Sequence, residues 1–120
     1  MPLQSTQDDK GVMASDMLKD LQKRIYKNKI NKGFNTAADY EGLNQEICFL
    51  AEEVGEIARS HRRGERREVV DSVTDVLIYT LGLLEILGVD ADEQVEKVLK
   101  NIEKRKYKKN LNGSFKRVRG

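Results

Sequence analysis

The chain is poor in the residues that break, staple or coordinate. Proline occurs once, at Pro2, so nothing after it forbids long helices. The single cysteine, Cys48, excludes an internal disulfide framework; it suits a reducing, cytoplasmic setting and reads as a small buried hydrophobe on a helix. The one histidine, His61, falls in a turn and reads as solvated, not as a metal ligand. No apolar run approaches the roughly 20 residues that cross a bilayer, and the polar start lacks the apolar core of a secretion signal, so no membrane partner is expected. Phosphate-binding Gly-rich loops ending in Lys-Ser/Thr, His-Glu-x-x-His pairs and Cys-x-x-Cys pairs are all missing.

What is present is charge and helical periodicity. Hydrophobic residues make up 38% of the 120 residues and charged residues 35%, enough for one modest core. Helices with narrow apolar stripes tolerate that composition best when a second copy covers part of the stripe, so an oligomer is expected. Net charge is only +2. Yet eight acids lie between Glu46 and Asp75, while ten Lys or Arg against one acid lie between Lys97 and Arg119. An acidic centre with a basic end suits a molecule that gathers cations and phosphates, and it also suits a nucleic-acid binder.

Gly33, Gly64, Gly88 and Gly113 fall where the periodicity breaks, which predicts four helices. They cover about residues 16–31, 39–60, 65–87 and 92–109. The second carries Leu43, Ile47, Leu50, Val54 and Ile57 at steps of four and three. The third carries Val69, Val73, Val76, Thr80, Leu83 and Leu87. Short connections make consecutive helices antiparallel neighbours. The resulting division is a flexible arm at 1–14, a helical domain at 15–109 and a basic tail at 110–120.

Glu53 and Glu56, three apart, are neighbours on one helix face, and of the two only Glu56 has a basic residue within reach, Arg59. Glu68, Asp71 and Asp75 share an arc of about 60° on the next helix, bordering its apolar sector. Gly82, in the same arc, would leave space for a ligand, and Gly55 would admit a neighbouring backbone. The plain alternative is a solvated acidic face. Taken jointly, Glu53, Glu56, Asp71 and Asp75 form a hard-oxygen set that favours magnesium or manganese over zinc.

Glu52-Glu53-Val54-Gly55-Glu56, followed by Asp71-Ser72-Val73-Thr74-Asp75-Val76-Leu77-Ile78-Tyr79, resembles the MazG-like nucleoside triphosphate pyrophosphohydrolases of the all-α NTP pyrophosphatase superfamily. That signature is Glu-x-x-Glu on one helix and Glu-x-x-Asp on the next. Weaker matches are Lys32-Gly33-Phe34, Gly88-Val89-Asp90, and Lys97, Asn101 and Arg105. One position departs: Ser72 stands where the pattern has its second-helix Glu. Asp71 is the nearest substitute, and a Glu68-x-x-Asp71 register also fits the bare spacing.

The resemblance implies an all-α, four-helix-bundle-like fold completed as a homodimer or dimer of dimers. It implies Mg²⁺-dependent (or Mn²⁺-dependent) cleavage of a nucleoside triphosphate to monophosphate and pyrophosphate. Glu53, Glu56, Asp71 and Asp75 would then serve as metal ligands and catalytic groups. Lys97, Asn101 and Arg105 would hold phosphate oxygens, and Tyr26, Lys32 and Phe34 would line a base pocket. Two rivals remain at this level. One is a nucleic-acid-binding helical protein using the basic C-terminal segment, which leaves the acids unexplained. The other is a catalytically weak interaction subunit, suggested by Ser72.

Overall fold

A computed structural model describes residues 16–119; the arm expected at 1–14 lies outside the described residues. Among the described residues four helices follow in order: α1 (Met17–Asn31), α2 (Tyr40–Arg62), α3 (Arg66–Ile86) and α4 (Ala91–Glu103). A β-hairpin closes the chain, with β1 (Lys106–Lys109) antiparallel to β2 (Phe115–Val118) and Lys109 opposite Phe115. The all-α architecture expected from periodicity is present. No single helix among the described residues is long and apolar enough to cross a membrane.

The helix boundaries have local causes. Asp39 caps α2 by accepting from the Gly42 N–H at 2.9 Å. At the end of α1, Gly33 takes a left-handed φ of 80°, letting the Phe34 N–H donate to Lys29 O at 3.0 Å. That reversal fixes where Phe34 sits. A side chain at Gly42 would run into the Ala37 carbonyl, so glycine there lets the α1–α2 loop lie against α2.

Two aspartates interlock the far end of the molecule. Asp90 caps α4 by accepting from the Asp92 and Glu93 N–H groups, and it pairs with Lys19 of α1 at 3.3 Å. Asp92 in turn accepts from the Leu18 and Lys19 N–H groups at 3.1 and 2.9 Å, satisfying the open N-terminus of α1. Gln22, fully buried, donates to Val89 O and accepts from the Ala91 N–H. The α3–α4 turn is thus bolted to α1 by side chains alone.

Helix four ends at Glu103, six residues before the expected end, and the next residues form β1. Continuing as helix would stack Lys104 over Lys108 and Arg105 over Lys109, like charges four apart that destabilise a helix. The residues beyond Asn110 are correspondingly not a plain tail, since 115–118 form the second strand.

The apolar stripes are only partly covered. Among the described residues the buried hydrophobics are Leu81, Ile86 and Ala91, and of these only Ala91 is wholly shielded. On α2 the inward face carries Gly42, Glu46 and Ser60, while Ile47 and Val54 of the expected stripe are about half exposed. Val73 of α3 and Leu87 at its C-cap are likewise exposed, as are Val95, Val98, Leu99 and Ile102 of α4. Cys48, expected in the core, is exposed on α2. The radius of gyration is 18.1 Å, against about 13 Å for a compact domain near 100 residues.

Candidate active site

Helices α1, α2 and α3 enclose a cleft of about 290 Å³. Ile25, Asn28, Lys29 and Lys32 line it from α1 and its end, Phe34 from the following loop, Glu46 and Phe49 from α2, and Asp75, Ile78 and Tyr79 from α3. Of the expected base-pocket residues, Lys32 and Phe34 are here. Tyr26 is half-buried on α1 and does not line the cleft.

The acids meet where α2 and α3 face each other. Glu53 and Asp75 are near enough for each carboxyl to act on the other. Burial pushes the Glu53 carboxyl above its ordinary value, and the charge of Asp75, a hydrogen bond with it, and the charges of Glu56 and Glu52 push the same way. Glu53 takes part in no ion pair among the described residues, whereas Glu56 is met by Arg59 at 3.4 Å. Tyr79 reports the same field: burial raises its phenol, followed by the charges of Glu53, Glu46 and Asp75.

Asp71 points elsewhere. Its side chain is 60% exposed and lies 3.8 Å from Arg67. Ser72, by contrast, is buried. On the helical wheel Asp75 falls between them, about 40° from Asp71 and 60° from Ser72. Among the described residues, no three His, Cys, Asp or Glu side chains are gathered as a metal cage. The convergent Glu53–Asp75 pair, with hard oxygens and no basic partner, nonetheless has the donor chemistry of a magnesium site.

Two glycines differ from expectation. A Cβ at Gly82 would come within 2.9 Å of Lys29 Cε and 3.1 Å of Ile25 Cγ2, so the space beyond the acids is filled by α1 and not left for a ligand. At Gly55 a Cβ would meet only the Arg59 guanidinium, at 3.3 Å, and no neighbouring backbone.

The expected phosphate ligands sit apart from the acids within one chain. Asn101 and Arg105 line a groove of about 820 Å³ with Lys104, Lys116, Arg117 and Arg119. Lys97 does not line it, and neither does Glu53, Glu56, Asp71 or Asp75.

Lys29 and Glu46 emerge only from the structure. Both are buried, and Lys29 Nζ lies 2.5 Å from Glu46 Oε1. The same ammonium lies 5.0 Å from the Tyr79 ring centre and 5.7 Å from that of Phe34. Phe49 completes the cluster, edge-on to Phe34. A signal existed: Gln22 and Lys29 occupy the same stripe as Leu18 and Ile25, and Glu46 is one turn from Leu43 and Leu50. Polar residues on an apolar stripe mark a built interior.

The chain matches the phosphoribosyl-ATP pyrophosphohydrolase family over residues 18–106. No curated protein and no solved structure matches it. From Leu18 on, the matched span covers the four described helices and the paired acids, and it stops where the hairpin begins. The chain therefore belongs to the phosphoribosyl-ATP pyrophosphohydrolase family, an all-α pyrophosphohydrolase family related to the NTP pyrophosphatases, and its activity is that of a pyrophosphohydrolase on a nucleotide-like substrate.

Proposed function

We propose that the protein is a magnesium-dependent nucleoside triphosphate pyrophosphohydrolase of MazG-like character, releasing a nucleoside monophosphate and pyrophosphate. The observation that carries this reading is the neighbouring pair Glu53 and Asp75, two carboxylates close enough for Asp75 to raise the proton affinity of Glu53, neither with an ion-pair partner among the described residues. Such a pair is costly unless a proton or a cation is shared. Glu53 and Asp75 would hold magnesium, with Glu56 one turn along α2. When bound, the ion neutralises phosphate oxygens and acidifies the attacking water.

The chain's own residues supply the rest. Arg59 keeps Glu56 in place. Asp71, already turned to solvent, is available to a second ion. Burial of Tyr79 and Phe49 beside the pair lowers the local dielectric and strengthens each of these interactions.

The uncovered faces of α2, α3 and α4 support a homodimer or a dimer of dimers. Val95, Val98, Leu99 and Ile102 form an exposed apolar face on a helix that also bears Lys97 and Asn101, with Arg105 just beyond its end. A second copy docked through that face would bring these three residues to an acidic site they do not reach in a single chain. The cytoplasm is the proposed compartment, where nucleotides and magnesium are both at hand.

A panel of nucleoside triphosphates with magnesium, assayed separately for pyrophosphate and orthophosphate, tests the reading. Pyrophosphate from at least one triphosphate, abolished by chelation, is the expected result. Orthophosphate as sole product, or no turnover with either magnesium or manganese, would overturn it.

A further inference from the structure

Charge is spread unevenly over the fold. Residues 104–119 hold eight Lys or Arg and no Asp or Glu, while the rest of the chain, with 14 basic and 20 acidic residues, stands at −6. Those eight cations surround the hairpin, which lies beyond the family match except for Lys106. Among the described residues no helix packs broadly against either strand, and every strand residue is exposed. A bare two-stranded hairpin is marginal in water, and packing against something further is what stabilises it.

The strand register sorts the hairpin's side chains. Tyr107 is paired with Arg117, and Lys109 with Phe115. Paired residues point the same way and alternate residues share a face, so these four side chains stand together on one face. Tyr107 and Phe115 lie on its diagonal, about 7–8 Å apart, with a cation at each remaining corner. At 53% and 67% exposure, each ring keeps a free surface. The groove lined by Lys104, Lys116, Arg117 and Arg119 opens at the edge of this face, since Arg117 belongs to both. Rings and cations alternating on one face serve a membrane badly, because an inserting surface needs an apolar side kept free of charge. They suit a polymer that carries flat rings and phosphates in turn.

Alongside the pyrophosphohydrolase activity and independent of it, we propose that the hairpin binds single-stranded nucleic acid. Tyr107 and Phe115 each stack on one base, Lys109 and Arg117 meet the phosphates beside them, and the cations of the groove carry the backbone onward. A duplex keeps its bases stacked on one another and offers neither ring a partner. Recognition through ring faces and phosphates tolerates any sequence.

Fluorescence anisotropy on the full chain, with a labelled single strand of about 12 nucleotides and with its duplex, tests this. The single strand should bind at least about fivefold tighter. Its log affinity should fall with log salt, by about 0.7 in slope for each phosphate held. Tyr107→Ala/Phe115→Ala should weaken single-strand binding about tenfold or more and leave that slope unchanged. Lys109→Gln/Arg117→Gln should also weaken it, and lower the slope by about 1.4. Arg24→Gln/Lys27→Gln, which removes the same charge from exposed positions on α1, should change neither. Helicity and pyrophosphate release should be the same in all three variants.

Duplex bound as tightly as single strand, binding untouched by loss of the two rings, or equal weakening by the α1 pair would leave only a charged surface and overturn the proposal. The wild-type comparison decides even where a variant unfolds. Hairpin variants that lose pyrophosphate release but keep strand binding would assign the hairpin to a partner's active site, and overturn it as well. Strand binding by a chain that releases no pyrophosphate defeats the enzymatic reading alone; pyrophosphate release without strand binding defeats this proposal alone.

Discussion

Lys29 and Gly82 fit together as a side chain and the gap made for it: a Cβ at position 82 would lie 2.9 Å from Lys29 Cε. Alanine is favoured over glycine inside a helix by about 1 kcal/mol. Gly82→Ala should nevertheless lower stability, because Lys29 is held by Glu46 and Ile25 Cγ2 stands only 3.1 Å away. The loss, read by urea denaturation, should shrink in a Lys29→Ala background. A Gly82→Ala variant more stable than wild type would show that α1 yields freely there.

Removing one partner of the buried ion pair should cost more than removing both. Lys29→Met strands the Glu46 carboxylate in the interior and should lose about 3–5 kcal/mol. The double variant Lys29→Met/Glu46→Met should regain most of that loss. A double variant as unstable as the single one would contradict the pairing.

Glu53 makes metal-free stability depend on pH in a definite direction. Its native pKa is raised above the ordinary 4.5, by burial first and then by Asp75. Between those values the native state binds more protons than the unfolded chain, so this contribution falls as pH rises through the native pKa. Glu53→Gln should flatten that part of the stability profile measured without divalent ions. A profile identical to wild type would mean that Glu53 feels no such field. Magnesium, by occupying the native state, should raise Tm at pH 7 in the wild type and less in Glu53→Gln or Asp75→Asn.

Ser72 and Asp71 separate burial from bare spacing. Ser72 is buried while Asp71 pairs with Arg67 at the surface, so Asp71→Asn should reduce pyrophosphate release only a few-fold. Asp75→Asn should cost about a hundredfold or more, as loss of a group acting directly on the reaction does. Ser72→Glu should tighten magnesium binding. A severe Asp71→Asn beside a mild Asp75→Asn would favour the other register.

Much of this was legible in the sequence. The glycine stops and the acids of α2 and α3 on adjoining faces follow from spacing and local chemistry. What was hidden depends on rotation about the helix axis. Ile47 and Val54 advertise a core face, yet within one chain α2 turns Glu46, Phe49 and Glu53 inward. Hydrophobicity marks every buried face, including one that only an assembly buries, and does not say which neighbour covers it. The hairpin was hidden for another reason: Asn112-Gly113 signals a turn, but the Lys-rich strands on either side lack the alternating apolar residues that mark a strand.

The central claim is tested most directly by following one cleaved triphosphate with magnesium by ³¹P NMR, for the wild type and Asp75→Asn. Monophosphate and pyrophosphate should appear in equal amounts in the wild type, and neither at a comparable rate in the variant. Diphosphate and orthophosphate as the products, or an undiminished rate in Asp75→Asn, would contradict it.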